Sequence, residues 1–330
     1  MRFRTAVVIG KFYPPHRGHK FLIDTAASQA EHVTVIVCGK KEHDIPGEVR
    51  GNWLREIHPS VTVLVIDDIY SDDDSKEWAD LTIGWLGYTP DAVFTSEDYG
   101  DRYAAFMGST HVLVDKARLQ VPCSGTAIRT QPFAQWEYLE PPVRAWFVKR
   151  ICVLGAESTG TTTLAQALAR ELNTCWVPEY GREYSEEKMR RGDDLWTTEE
   201  FVHIAEEQNR RENAAARQAN KVLICDTDAF ATTLWHRRYM GFENANVASV
   251  AAERCCHLYI LTGDEIPFVQ DGYRDGEHIR HEMHGWFKQA LACQPVPWRL
   301  VQGSPEKRLS ETLSLIQEHF FGGISDSKLT

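Results

Sequence analysis

Thr5-Ala6-Val7-Val8-Ile9-Gly10 runs directly into Lys11-Phe12-Tyr13-Pro14-Pro15-His16-Arg17-Gly18-His19. The first stretch is a continuous apolar run closed by glycine, as a strand buried on both faces requires. A helical pattern starts at Phe21, so a short loop joins strand to helix. In a doubly wound sheet that loop lies at the carboxyl edge, where ligands bind. The helix behind it turns its N-terminal amides and positive dipole end toward the same place. Gly10 and Gly18 let the backbone turn tightly and approach a phosphate. His16 and His19, at the lip of the helix, can each donate a ring N–H to phosphate oxygens where charge grows on a pentacoordinate phosphorus.

Outward from this stretch, short apolar runs alternate with helical patterns. Strands are expected at Thr5–Gly10, Val33–Cys38, Val61–Ile66, Ala92–Thr95 and His111–Val114, with helices at Phe21–Ala30, Glu48–Ile57 and Lys76–Leu86. Glu140-Pro141-Pro142 should end any helix made by Phe133–Leu139. A second series follows, with strands at Arg150–Leu154, Val222–Asp226, Leu258–Leu261 and Trp298–Val301. Its helices fit at Thr161–Leu172, Glu199–Ala219, Ala229–Tyr239, Glu277–Ala292 and Pro305–Phe320. The expected fold class is α/β, as two doubly wound parallel-sheet domains covering 1–145 and 146–330.

The 330 residues are 43% hydrophobic and 25% charged, ordinary values that exclude collagen-like, coiled-coil and disordered chains. Lys and Arg number 36 against 47 Asp and Glu, for a formal charge of −11. So acidic a chain is a poor partner for a nucleic-acid backbone or an anionic membrane. No signal-peptide core or membrane-length apolar run is present. Eight scattered cysteines without a C-x-x-C suggest reduced thiols in a cytoplasmic protein.

The second half carries its own phosphate-type loop. Gly155-Ala156-Glu157-Ser158-Thr159-Gly160-Thr161-Thr162 has the spacing of a Walker A loop after a strand and before a helix. Gly155, Gly160 and the amides between them can nest a phosphate, and Thr162 falls where a hydroxyl meets Mg²⁺. The lysine position, however, holds Thr161. Ile224-Cys225-Asp226-Thr227-Asp228 ends a strand in carboxylates, which suits Mg²⁺ or a substrate hydroxyl. Pro178-Glu179-Tyr180-Gly181-Arg182 puts Glu179 on the same sheet edge. Glu179 or Asp226 can accept a sugar hydroxyl's proton, and either can instead cap a helix. Gln270–Gly276 has the look of a lid carrying Arg274, or of a plain surface loop.

The Gly10–His19 stretch resembles the G-x-F-x-P-x-H-x-G-H signature of the nucleotidylyltransferase superfamily at every fixed position. Cys123-Ser124-Gly125-Thr126-Ala127-Ile128-Arg129 resembles its I-S-x-T-x-x-R element, with Cys123 in place of isoleucine. The resemblance implies attack of an acceptor's phosphate on the α-phosphorus of ATP, with His16, His19, Lys11, Arg129 and Mg²⁺ positioning groups and stabilising charge. Gly10, Phe12, Gly18, Ser124 and Thr126 would line the ATP site. Arg50, Trp53 and Trp78 suit a mononucleotide with a cationic pyridinium, the Arg on its phosphate and the indoles on its ring. The tryptophans suit a core equally well, and composition does not choose this acceptor over another.

With both halves taken together, the chain resembles the NadR family, a nicotinamide mononucleotide (NMN) adenylyltransferase fused to a nicotinamide riboside kinase. That implies phosphorylation of the riboside to NMN and its adenylylation to NAD, with ATP as substrate and Mg²⁺ as cofactor. Some relatives carry an N-terminal helix-turn-helix and repress transcription. The first strand lies within a few residues of Met1, so DNA binding is not expected. Thr161 predicts weak or absent riboside phosphorylation, increased by Thr161→Lys, unless Arg274 or another cation stands in. The alternatives are an adenylyltransferase whose second half only senses nucleotide, a nucleotidyltransferase for another phosphate acceptor, and a DNA-binding regulator. The oligomeric state stays open, a homo-oligomer included. His278, His281 and His284 are expected on a solvated helix face, and Asp72-Asp73-Asp74 as an acidic loop or helix start.

Overall fold

The computed structural model describes residues 2–70, 74–193 and 195–322. The chain divides into two compact units, Met1–Trp146 and Phe147–Thr330. In the first, β1 (Phe3–Gly10), α1 (Arg17–Gln29), β2 (Ala30–Gly39), α2 (Gly47–Ile57), β3 (Thr62–Asp67), α3 (Ser75–Leu86), β4 (Ala92–Thr95), α4 (Gly100–Met107) and β5 (Thr110–Leu113) alternate. The strands are all parallel in the order β3-β2-β1-β4-β5.

β1 is central because its apolar run serves both faces. Ala6 and Val8 pack with Leu22 and Ile23 of α1 and Leu54 of α2. Val7 and Ile9 pack with Ala79 of α3 and Tyr103 of α4. The order reverses between β1 and β4, which leaves a crevice at their carboxyl ends. Two short helices, α5 (Gly125–Thr130) and α6 (Pro141–Phe147), follow. What helix Phe133–Leu139 makes, a short 3-10 segment after turns, stops before the prolines as expected, and Pro141 and Pro142 then open α6. A first turn needs no proline N–H, so proline fits there.

The second unit contains β6 (Lys149–Leu154), α7 (Thr161–Glu171), β7 (Trp176–Val177), α8 (Tyr180–Arg190), α9 (Thr198–Ala215), β8 (Val222–Asp226), α10 (Ala229–Met240), α11 (Ala245–Ala252), β9 (Leu258–Thr262), α12 (Arg280–Ala292), β10 (Trp298–Val301) and α13 (Pro305–Phe321). Its parallel sheet runs β10-β9-β6-β8-β7, so the strand feeding the glycine-rich loop is again central. Periodicity gave no sign of α8, which lacks an apolar stripe. Ion pairs hold it: Arg182 to Glu186, Glu183 to Arg211 and Lys188 to Asp193. No helix among the described residues is long and apolar enough to cross a membrane.

Candidate active sites

The first site forms where β1 meets α1. His16 is extended and caps the helix: the Gly18 and His19 amides donate to its Nδ1 at 3.1 and 3.4 Å. With Nδ1 accepting, the ring proton belongs on Nε2. The His16 and His19 rings stack with centroids 3.7 Å apart. Burial, helped by the Arg118 charge, lowers the His16 pKa to about 4. Burial, then His16 and Arg118, push His19 well below the usual range. Both imidazoles are therefore neutral at physiological pH and offer N–H groups rather than charge.

The second element of this half locks onto the first. Ser124 accepts from the Ala127 amide at 3.2 Å and caps α5. Cys123 Sγ lies 3.2 Å from His16 Nδ1. A Cβ at Gly125 would fall 2.5 Å from the Tyr13 carbonyl oxygen, so only glycine permits this approach. Arg129 donates to that same carbonyl, stacks 4.3 Å above the Tyr13 ring and reaches Thr126 Oγ1 at 3.3 Å. His16, His19, Ser124, Thr126 and Arg129 thus converge beyond the end of β1.

Three expected ligand contacts are revised by the packing. Arg50 is fully buried, and its guanidinium donates to the carbonyls of Ile45 (3.0 Å), Cys38 (3.2 Å) and Lys11. It ties the Lys11 loop to β2 and has no free face for a phosphate. Trp53 is buried with its ring edge-on to Trp146, and its helix covers the opposite face of the sheet from Trp78. One pyridinium cannot lie against both. Phe12 is a core residue whose ring supports His19 from 5.0 Å. Trp78 is half-buried against Tyr70 and Trp85, and Lys11 is exposed. Asp74 caps α3, while Asp72 and Asp73 lie outside the described residues.

In the second unit the loop after β6 lines a cavity of about 500 Å³, within the range of small-molecule sites. Thr162 donates to Asp226 Oδ2 at 2.6 Å, joining the loop to the end of β8. Asp226 is buried, its Oδ1 has no protein partner, and burial raises its pKa against the Thr162 and Thr161 hydroxyls. Glu179 lines the same cavity. Burial and then the Asp226 charge raise it to about 8, with Arg182 opposing. Gln208 accepts from the Tyr180 amide at 3.0 Å and lies beneath Thr227, so it ties the two carboxylate segments together.

Several cavity groups were not singled out in the sequence. Trp196, Phe201 and Tyr239 form an aromatic wall, with Trp196 to Tyr239 centroids 5.2 Å apart. Trp235 adds a buried indole N–H without a partner. Trp235 and Tyr239 are four apart on α10, a spacing that puts both on one face. From behind the loop, Arg280 donates to the Ser158 carbonyl at 2.9 Å and Arg308 to the Thr159 carbonyl at 2.6 Å. Arg274 lies on the cavity side, 3.4 Å from Ser158 Oγ. His281 and His284 instead approach Asp264, at 2.6 and 3.6 Å, and His284 is buried rather than on a solvated face.

Two compact α/β units, each a five-stranded parallel sheet whose central strand feeds a glycine-containing loop, make this a two-unit α/β protein. Residues 150–308 match the family model described as an AAA domain. The chain is 30% identical over 297 residues to the trifunctional NAD biosynthesis/regulator protein NadR of Escherichia coli strain K12, covering 81% of this chain and 71% of that one. The Salmonella typhimurium protein of the same name gives 30% over 292 residues with the same coverage. Accordingly, this chain belongs to the NadR family. A crystal structure of a NadR protein in complex with NR superposes with a TM-score of 0.80 at 22% identity, over 96% of each chain. Another, with NAD and AMP-PNP, gives 0.74 at 21% identity over the same share. These two likenesses establish the fold across both units.

Proposed function

We propose that this chain makes NAD in two steps, phosphorylating nicotinamide riboside to NMN in the second unit and adenylylating NMN in the first. The observation that carries the reading is the second unit's cavity. It is lined by the phosphate loop, by Glu179 and by the aromatic wall of Trp196, Phe201 and Tyr239, and Asp226 is tied to the loop through Thr162. A cationic pyridinium favours such a wall, whose faces already attract cations: Lys188 lies 5.2 Å over Trp196 and Arg238 lies 4.8 Å over Tyr239. With the base there, the ribose 5′-hydroxyl points toward the loop. Its oxygen attacks the γ-phosphorus of ATP, the bond to ADP breaks, and Glu179 takes the proton. The Thr162 hydroxyl and the unpartnered Asp226 oxygen are hard donors that fit Mg²⁺, which would neutralise phosphate charge.

In the first unit the acceptor is already an anion, so no base is required. A phosphate oxygen of NMN attacks the α-phosphorus of ATP and pyrophosphate leaves. His16 and His19 donate neutral N–H groups to the crowded phosphorus centre, while Arg129, on the helix that Ser124 caps, supplies charge to the departing pyrophosphate. Trp78 is the remaining candidate to stack on the nicotinamide. The family's name-bearing relatives in NAD biosynthesis support the pairing of the two reactions. The test is chromatography of purified protein with ATP, Mg²⁺ and either NMN or the riboside. NAD from NMN and NMN from the riboside are expected, and failure of either product removes that half of the reading.

A further inference from the structure

Without a lysine at position 161, the second unit needs another positive group on the triphosphate. Among the described residues five cations besides Arg274 lie around its loop and cavity wall: Arg280 and Arg308 do not line the cavity, and Arg182, Lys188 and Arg238 are each paired with two carboxylates. Arg280 and Arg308 bind the loop's own carbonyls at Ser158 and Thr159 from behind. Arg182 is held between Glu186 (2.9 Å) and Asp271 (2.6 Å), and Lys188 between Asp193 (2.8 Å) and Glu200 (2.7 Å). Arg238 pairs with Glu157 at 2.6 Å and with Asp275.

Arg274 differs. Its carboxylate partner is Asp271 at 3.3 Å, and Asp271 is already engaged by Arg182 at the shorter 2.6 Å. Its other contacts are neutral oxygens, the Val269 carbonyl and Ser158 Oγ. Neutral acceptors are readily exchanged for phosphate oxygens, which bind a guanidinium more strongly. The loop itself fastens this segment in place, because Ser158 Oγ also accepts from the Val269 amide at 2.8 Å. Thr161 itself lines the cavity, but its hydroxyl carries no charge to offer a triphosphate.

We propose that Arg274, held against the loop by Ser158 and Asp271, touches the β,γ-phosphates and supplies the charge that lysine would otherwise bring. This rests on the kinase reading above and names the residue that makes it workable. It also revises the expectation of a weak second reaction.

The test uses the full chain and measures riboside-dependent ADP release, which adenylyl transfer does not produce. R274A is expected to lower kcat about 100-fold with an unchanged thermal midpoint. T161K/R274A should recover at least about tenfold over R274A, because the loss is one of charge rather than shape. An R274A rate within threefold of the parent, or a double variant no faster than R274A, overturns the proposal. If the parent itself releases no riboside-dependent ADP, the kinase reading fails and the number of AMP-PNP molecules bound per chain decides separately. A fall from two to one in R274A upholds the role of Arg274, and an unchanged number overturns it.

Discussion

The two phosphate loops occupy the same place in two sheets and solve the charge problem differently. In the first unit the loop carries its own histidine donors, while the Arg129 guanidinium arrives from α5. His16 and His19 sit three residues apart, with the cap that sets one ring made by the backbone they belong to. In the second unit the loop has no cation of its own, and the cations around it include Arg182, Arg238, Arg274, Arg280 and Arg308. Both are amide cradles at the end of a central strand, where the strand order reverses. The difference teaches that a nest of amides is a local property, while the charge that completes it is free to come from any segment the fold brings near.

That contrast is open to several breaks. The largest effect is expected from His19→Ala, which should lower NAD formation from NMN about 10²–10³-fold, the usual cost of one preorganised donor. Riboside phosphorylation should be untouched, and full retention of NAD synthesis would remove the histidine pair from the chemistry. Next, Glu179→Gln should slow riboside phosphorylation about 10²-fold. A base acts only when ionised, and Glu179 is raised to about 8. The parent's kcat/KM for the riboside should therefore rise with pH and level off above about 8, and the variant should lose that rise. A parent profile flat from pH 6 to 9 would move the base elsewhere.

Arg50→Met tests the tie beneath the first loop. It leaves the carbonyls of Ile45, Cys38 and Lys11 without their donor, at a cost of about 2–3 kcal/mol. Urea unfolding should show that loss while the KM for NMN stays put. The reverse, normal stability with a tenfold higher KM, would return Arg50 to the substrate. The smallest change is expected from Cys123→Ile, under about threefold in NAD formation, because the Gly18 and His19 amides already fix the tautomer of His16. A tenfold fall would make the thiol a partner that His16 needs.

Much of the fold was legible because apolar runs and helical spacing are written in consecutive residues, and β8 and β10 lie where those runs begin and end. α8 escaped because ion pairs, one within the helix and one to Arg211 of α9, rather than an apolar face hold it. The burial of Arg50 and Trp53 was not legible for a related reason. Spacing on a helix says which side chains share a face, and only packing says whether that face meets a ligand, a carbonyl or another indole.

Sequence alone determined that two strand-to-helix loops are shaped for phosphates, since glycine placement, capping side chains and the apolar strand before each loop act over ten residues or fewer. Tertiary structure alone decided which groups face those loops. Burial made neutral donors of the histidines, set Glu179 against Asp226, and brought Arg274 across more than a hundred residues to Ser158. Desolvation and through-space charge depend on neighbours that no local pattern records.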